Sequence, residues 1–498
     1  MTAPNFDLIV RNVRVVRPHH DDVPVCDIGV RDGRIAAIEP VLDATATRIV
    51  DGQGQLAFPG LVDAHMHVGI YAPLAEDAET ESRAAAMGGV TTSLNYIRTG
   101  KYYLNKAGPY REFFPEVLAL SEGRFHVDYA YHLAPMDKQH IEEIESLIDD
   151  HGVTSFKIFM FYGGYGLHGR SGDQRSFLMI SEDEQYDIAH FEFVMRALSR
   201  AIERRPALRD CISLSLHCET AEIMNAYTAI VQREGTLQGL RAYSASRPPH
   251  SEGLAIVIAS YLAHETNLPN INLLHLTSQK AVDAALLMRT AFPHVNFRRE
   301  VTIGHLILDY DAAAGSKAKV NPPIRSREDV EYLWTALLRG DIDWVVSDHA
   351  CCAAEHKTHS EHPEDIFQSR SGFGGTEYLL SALFSEGQQR GLPLHRIAEL
   401  TSWNPARRYG LYGKGDLAVG FDADIVLLDP AVSFVVDGAT SPSTQGYSVF
   451  DGLTFTGAVT RTFLRGQLVY DAGTFPEPPR GQFLARPYRP EMADVDRT

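Results

Sequence analysis

The sequence predicts an α/β protein: a (β/α)8 barrel of the TIM type over residues 59–410, with a small β-sandwich built from both chain ends, residues 1–58 and 411–475. Three observations lead there. Near both ends the chain alternates short apolar runs with turn residues, as antiparallel strands do. Between Leu61 and about residue 410, runs of strand length alternate with helical segments, the pattern of a parallel barrel. Several of those inner runs also close on a histidine, lysine or aspartate, and in such a barrel the strand ends share one face.

Taken in order, residues 7–16, 26–31, 35–38 and 48–50 are the N-terminal strands, the last stopped by Asp51-Gly52, and they read as a small antiparallel sheet. Helical segments within the barrel include residues 182–203, 280–291 and 327–339. Two long irregular stretches, residues 98–114 and 163–177, interrupt the barrel. Long loops inside a compact domain usually carry function, so residues 163–177 read as a lid with its own substrate contacts, against the plainer alternative of a surface loop. After Tyr409 the short-strand style returns in residues 424–428, 459–464 and 467–470, which should pair with the first strands. The tail, residues 476–498, is rich in proline and arginine and reads as a surface arm without chemistry.

Composition removes several function classes. The 498 residues hold 46 Lys+Arg against 64 Asp+Glu, a formal charge of −18. An acidic chain with no dense Lys/Arg run suits neither a nucleic acid nor an anionic membrane as partner. Cys26, Cys211, Cys218, Cys351 and Cys352 form no C-x-x-C pair, and the chain is too large to need disulfide staples, so a reducing cytoplasm is the expected setting. Neither a signal peptide nor an apolar window approaching about 18 residues is visible.

The chemistry starts at Asp63-Ala64-His65-Met66-His67. Strand side chains alternate with period two, so His65 and His67 share a face and can hold one cation between them. A lone H-x-H is as often one core and one exposed histidine. Four further strand-like runs shift that balance, ending at Lys157, His217, His275 and Asp348. Four histidines and an aspartate can serve two divalent ions. A lysine ending a buried apolar strand is costly to keep charged, and its neutral amine can add carbon dioxide to give a carboxylate-like bridging ligand. A lysine that snorkels to water is the alternative.

The set is similar to the amidohydrolase superfamily, in its cyclic amidohydrolase branch: dihydropyrimidinase, hydantoinase, allantoinase and dihydroorotase. Motifs along nearly the whole chain carry the resemblance. They include Asp32-Gly33-Arg34-Ile35, the run from Phe58 to His67, Ser155-Phe156-Lys157, His217-Cys218-Glu219 and Ser246-Arg247-Pro248-Pro249, then Leu274-His275-Leu276-Thr277-Ser278, Ser347-Asp348-His349-Ala350 and Asn404-Pro405-Ala406-Arg407. The resemblance implies one metal on His65, His67 and Asp348, a second on His217 and His275, and a carbamate on Lys157 bridging two divalent ions, with zinc the expected metal. All six positions match in type, unlike the non-catalytic collapsin response mediator proteins, which have lost ligands, or the single-metal deaminases.

Such a site implies a hydrolase that opens a cyclic amide C–N bond by attack of a metal-bridging hydroxide, since paired cations lower the pKa of a shared water from about 15.7 toward about 7. By resemblance Asp348 carries the proton from water to the departing ring nitrogen, Tyr162 donates to the oxyanion, and Tyr162, Thr302 and Asn321 contact the substrate. The substrate expected first is a dihydropyrimidine or hydantoin. Dihydroorotase and allantoinase carry an arginine shortly after H-x-H, where Val68-Gly69-Ile70-Tyr71 stand here, yet Asn321-Pro322-Pro323-Ile324-Arg325 looks dihydroorotase-like. Hydrolysis of an acyclic amide or carbamate is the further alternative. The family resemblance favours a homotetramer. His126, His190, His264, His294 and His395 lack comparable placement, and without a G-x-S-x-G serine no covalent route is expected.

Overall fold

The computed structural model describes residues 5–98, 108–163 and 186–489, Tyr162 and Gly163 by backbone alone. The stretch expected to be a lid, residues 163–177, therefore lies outside the described residues beyond its first backbone position.

Eight strands build the barrel: β6 (Leu61–Met66), β7 (Val90–Ile97), β8 (Asp128–Leu133), β9 (Ser155–Phe159), β10 (Ser213–His217), β11 (Asn270–Leu273), β12 (Asn296–Thr302) and β13 (Trp344–Val346). They pair in parallel in chain order. A bridge between Met66 and His349 closes the ring, where the His67 N–H donates to the His349 carbonyl at 2.7 Å. Most of these strands are buried along their whole length, which is why they read as continuous apolar runs. Helices cover them, among them Leu74–Met87, Ile188–Arg204, Gln279–Ala291 and Arg327–Leu338. The helix expected from residue 182 starts at Ile188 because the Asp187 carboxylate caps it, accepting from the N–H groups of Ala189 (3.0 Å) and His190 (3.1 Å).

Both chain ends build a second, mixed sheet. Its strands are β1 (Phe6–Val15), β2 (Val25–Arg31), β3 (Arg34–Glu39), β4 (Ala46–Asp51), β5 (Leu56–Pro59), β14 (Ile425–Val435), β15 (Thr454–Leu464) and β16 (Gln467–Asp471). The order β16-β15-β14-β5-β1-β2-β3, with β4 on β1, sets the two ends side by side through the β5–β14 pair. Alternate residues of β1, β2, β14 and β15, such as Leu8, Val10, Ile28, Val30, Ile425, Leu427 and Phe463, gather in one apolar cluster. The N-terminal strands are not wholly antiparallel as expected: β1 pairs in parallel with β4 and β5. Alternation marks a strand but not its direction, so the sequence could not separate the two.

Two further expectations are corrected. Lys157 does not end its strand; β9 runs on to Phe159, in register with β10 so that Ser155, Lys157 and Phe159 lie opposite Ser213, Ser215 and His217. Nor is the described part of the tail, residues 476–489, only a surface arm. The N–H groups of Leu484 and Arg486 donate to the carbonyls of Tyr129 and Gly152 at 2.8 and 3.0 Å, and the Arg486 side chain is 3% exposed. Its guanidinium donates to Ser155 Oγ and the Tyr131 carbonyl, both at 2.5 Å, at the barrel end opposite Phe159. A polar sequence hid this because the partners are neutral groups of the barrel floor. Arg486→Ala should destabilise the protein by about 2 kcal/mol, read from its urea midpoint, because it opens a void and strips two acceptors of their donor. A midpoint unchanged by the substitution would contradict that packing role.

Candidate metal centre

The residues that end or follow the barrel strands meet above the barrel. His67 and Asp348 lie just past β6 and β13, His275 just past β11, and His217 ends β10. Asp348 (φ 54°) and His275 (φ 35°) both hold left-handed backbone conformations, uncommon for non-glycine residues and concentrated at functional sites. These turns bring side chains from separate strands into one place.

His65 Nε2 lies 3.0 Å from Asp348 Oδ1 and 3.3 Å from His67 Nε2, and His67 Nε2 lies 3.4 Å from Asp348 Oδ1. Donors that each sit about 2.0–2.2 Å from a single cation are separated by about 3.0–3.5 Å, so this triangle already has the edges of a coordination polyhedron. Lys157 Nζ is 3.0 Å from His65 Nε2 and lies 4.0 Å from the Tyr96 ring centroid. The His217 and His275 rings stand edge to face at 4.3 Å, with His275 5.4 Å from His65. His275 Nδ1 is buried without a hydrogen-bond partner among the described residues. An orphaned imidazole nitrogen beside a carboxylate and three more imidazoles is a donor set that fits divalent cations.

Outer carboxylates fix which ring nitrogens face inward. His65 Nδ1 donates to Glu300 Oε1 at 2.7 Å, which turns Nε2 to the site. His217 Nε2 donates to Glu219 Oε2 at 2.6 Å, so its Nδ1 is the atom that can face an ion. Glu219 is in turn held by Arg247 Nε at 2.9 Å. Glu300 also accepts from the Trp344 indole (2.8 Å) and the His275 N–H (3.2 Å). Burial pushes Glu300 up to about 8, but three donors aimed at it describe a carboxylate, and bound cations would favour that form further. Glu300→Gln should weaken metal affinity about 10–100-fold, measured by competition with a chelator; unchanged affinity would remove Glu300 from the site.

Electrostatics suits ligation. Burial, helped by the neighbouring cationic groups, holds His65, His67 and His275 below the usual imidazole range, so their rings are neutral. Burial likewise brings Lys157 down to about 7. Burial opposes ionisation of Asp348, but the His67 hydrogen bond and the nearby His67, His275 and Lys157 side chains outweigh it and hold the carboxyl below its ordinary value.

A cavity opens over these groups, and its wall includes Tyr71, Arg98, Phe161, Asn321 and Ser371. Asn321, expected at the substrate, is on this wall, its Oδ1 accepting from the Tyr243 hydroxyl. Thr302 is not among the cavity-lining residues. Its hydroxyl accepts the His305 N–H at 3.2 Å and pairs with His305 Nδ1 at 2.7 Å, capping a short helix. Tyr162 lies in the single turn Met160–Gly163 that follows β9, and its side chain is outside the described residues. Sequence reasoning missed Arg98, which follows β7 at the same barrel face, and the outer carboxylates Glu219 and Glu300. Arg98 could have been found as a charged residue closing an apolar run and Glu219 by its place two residues after His217, whereas Glu300 acts through partners distant in sequence.

Residues 250–469 match the amidohydrolase family. An allantoinase from Rubrobacter xylanophilus is 34% identical over 492 residues, covering 97% of this chain and 98% of its own. Among solved structures, a D-hydantoinase superposes with a TM-score of 0.83 at 27% identity, covering 97% of this chain and 99% of its own. The L-hydantoinase (dihydropyrimidinase) from Arthrobacter aurescens superposes with a TM-score of 0.83 at 28% identity, covering 96% and 99%.

Proposed function

This chain belongs to the amidohydrolase family, in the branch whose enzymes hydrolyse cyclic amide C–N bonds, and on that premise we propose that it opens the hydantoin nucleus, bare or carrying a 5-substituent such as a ureido group. The relatives' names support this choice of ring, because allantoin is itself a ureido-substituted hydantoin. The observation that carries the proposal is the convergence of His65 Nε2, His67 Nε2 and Asp348 Oδ1 beside Lys157 and the His217–His275 pair.

In the proposed site, His65, His67 and Asp348 would hold one zinc ion and His217 and His275 a second, with Lys157, carbamylated by carbon dioxide, as a ligand that could serve both. Such ions would bring the pKa of a shared water toward about 7 and polarise the scissile carbonyl. Asp348 accepts the proton released as the C–O bond forms and returns it to the ring nitrogen as the C–N bond breaks. Tyr162 donates to the developing oxyanion. Phe159, Phe161 and Ile70 supply an apolar wall that limits water, and Asn321 binds the far side of the ring. A homotetramer and a cytoplasmic setting belong to the same proposal; all five cysteines are buried free thiols, as a reducing compartment permits. Among the described residues no helix is long and apolar enough to cross a membrane.

The test is a substrate panel for the zinc-loaded protein: hydantoin, allantoin, dihydrouracil, dihydroorotate and an acyclic N-carbamoyl amine, with ring-opened product counted by mass spectrometry. Turnover of hydantoin or allantoin at least about tenfold above the other rings is expected, a difference of one specific polar contact. Preference for dihydrouracil, dihydroorotate or the acyclic compound would reject the hydantoin assignment. Chelation should abolish turnover and zinc should restore it.

A further inference from the structure

Asp348 is gripped from behind by groups that line no part of the cavity. On one side Ser347 donates through its N–H (3.1 Å) and its hydroxyl (2.5 Å) to the buried Asp63 carboxylate. On the other stands His349, fully buried. Its N–H donates to Ser347 Oγ at 3.0 Å, and its carbonyl accepts the N–H of His67 at 2.7 Å. The ring spans two further elements: Nε2 donates to Glu81 Oε2 at 2.7 Å, and Nδ1 accepts the N–H groups of Gly375 (3.1 Å) and Thr376 (3.4 Å). The two amide donors aimed at Nδ1 make it an acceptor and leave the ring's proton on Nε2, although burial is outweighed by the Glu81, Glu377 and Asp63 carboxylates, which raise the imidazole above its ordinary value. Gly374 lets its loop pass this close, since a Cβ there would stand 2.8 Å from His349 Cε1.

Glu81, on the helix Leu74–Met87, has its own brace. Besides His349 it accepts from Ser443 Oγ (2.6 Å), from the N–H and hydroxyl of Thr444 (both 3.0 Å) and from Thr80 Oγ1 (2.9 Å). Residues 441–445 belong to the connection between β14 and β15 of the second sheet, and Gln445 Oε1 also accepts the Gly374 N–H at 2.5 Å. A continuous path therefore runs from the second sheet through Glu81 and His349 to the backbone of Asp348.

We propose that His349 and Glu81 are positioning residues for Asp348, and that the connection at 441–445 makes the second sheet a brace for the proton-carrying carboxylate. Neither residue touches substrate. Their contribution is to hold a non-glycine residue in the left-handed region, so that its carboxylate stays aimed while a proton moves on and off it. The inference rests on the proposed role of Asp348 as proton carrier.

The test compares His349→Ala, His349→Gln and the sheet-side double variant Ser443→Ala/Thr444→Val with the unaltered protein, all zinc-loaded, on the best ring of the panel. Displacement of a catalytic group by an ångström lowers turnover about 100-fold, so His349→Ala should lose about that much kcat, with KM within about twofold and full metal content. The Gln side chain can still donate to Glu81, and should recover about tenfold of the loss. The double variant should lose kcat in the same direction, by about threefold or more, with KM unchanged. Wild-type kcat in His349→Ala, or a loss that Gln does not relieve and that tracks metal loss or unfolding, would overturn the proposal. Inactivity of the unaltered protein on every ring would instead count against the proposed function. For that case a crystal structure of His349→Ala decides independently: Asp348 keeping φ near 54° and its 3.4 Å approach to His67 would overturn the positioning role, and a relaxed turn would support it.

Discussion

Lys157→Ala is expected to lose most of the bound metal and to lower kcat by at least about 1,000-fold, more than a single missing outer-sphere contact accounts for. Lys157 sits in the middle of β9, fully buried, with Nζ 3.0 Å from His65 Nε2 and aromatic rings of Tyr96 and Phe159 against it at 4.0 and 4.4 Å. A charged ammonium there would be repelled by any cation the histidines hold. Burial brings its pKa to about 7, so much of the population is a neutral amine near neutral pH, the form that adds carbon dioxide. In the proposed site the amine's lone pair would form the new N–C bond to carbon dioxide and a proton would leave, giving a carbamate whose two oxygens could serve two ions. Alanine removes that bridge and leaves space where it stood. Acetate or propionate at millimolar concentration should therefore restore part of both metal content and activity. Metal analysis beside a turnover assay checks both halves, and two retained metals with normal activity would sink the bridging role.

The second large effect is at Asp348. Asp348→Asn keeps the size of the side chain and one ligand oxygen, so the variant should fold and retain much of its metal. It cannot carry the proton, and kcat should fall by about 1,000-fold, within the range general acid–base groups contribute. KM should change little, because the wall that holds the ring is untouched. A variant with near-normal kcat would exclude Asp348 from proton transfer.

The part of the site written in the sequence is the part governed by local geometry. His65 and His67 share a strand face because strands alternate, and the runs ending at His217, His275 and Asp348 converge because parallel barrel strands end on one face. What escaped depends on contacts distant in the chain. Glu300 reaches His65 across the barrel, Arg486 enters its floor from the last residues described, and Glu81 meets Ser443 and Thr444 from another sheet. No period or motif marks such pairs. Strand direction escaped for a related reason, since β1 reads the same whether its neighbour runs with it or against it. Lys157 was found by its chemistry but misplaced along β9, because strand ends are set by turns rather than by the apolar run. The missing arginine after His67 pointed away from allantoinase, yet an allantoinase matches this chain over almost its whole length. One position weighs little against nearly five hundred, and Arg98 on the same cavity wall provides a cation from a different strand.

The most direct test is anomalous diffraction at the zinc edge from crystals of the zinc-loaded protein grown with bicarbonate. Two full-occupancy peaks about 3.5–4 Å apart are expected, one contacting His65, His67 and Asp348, the other His217 and His275, with density for a carbon dioxide adduct on Lys157 reaching both. A single peak, or two peaks around an unmodified Lys157 amine, would contradict the bridged two-metal centre.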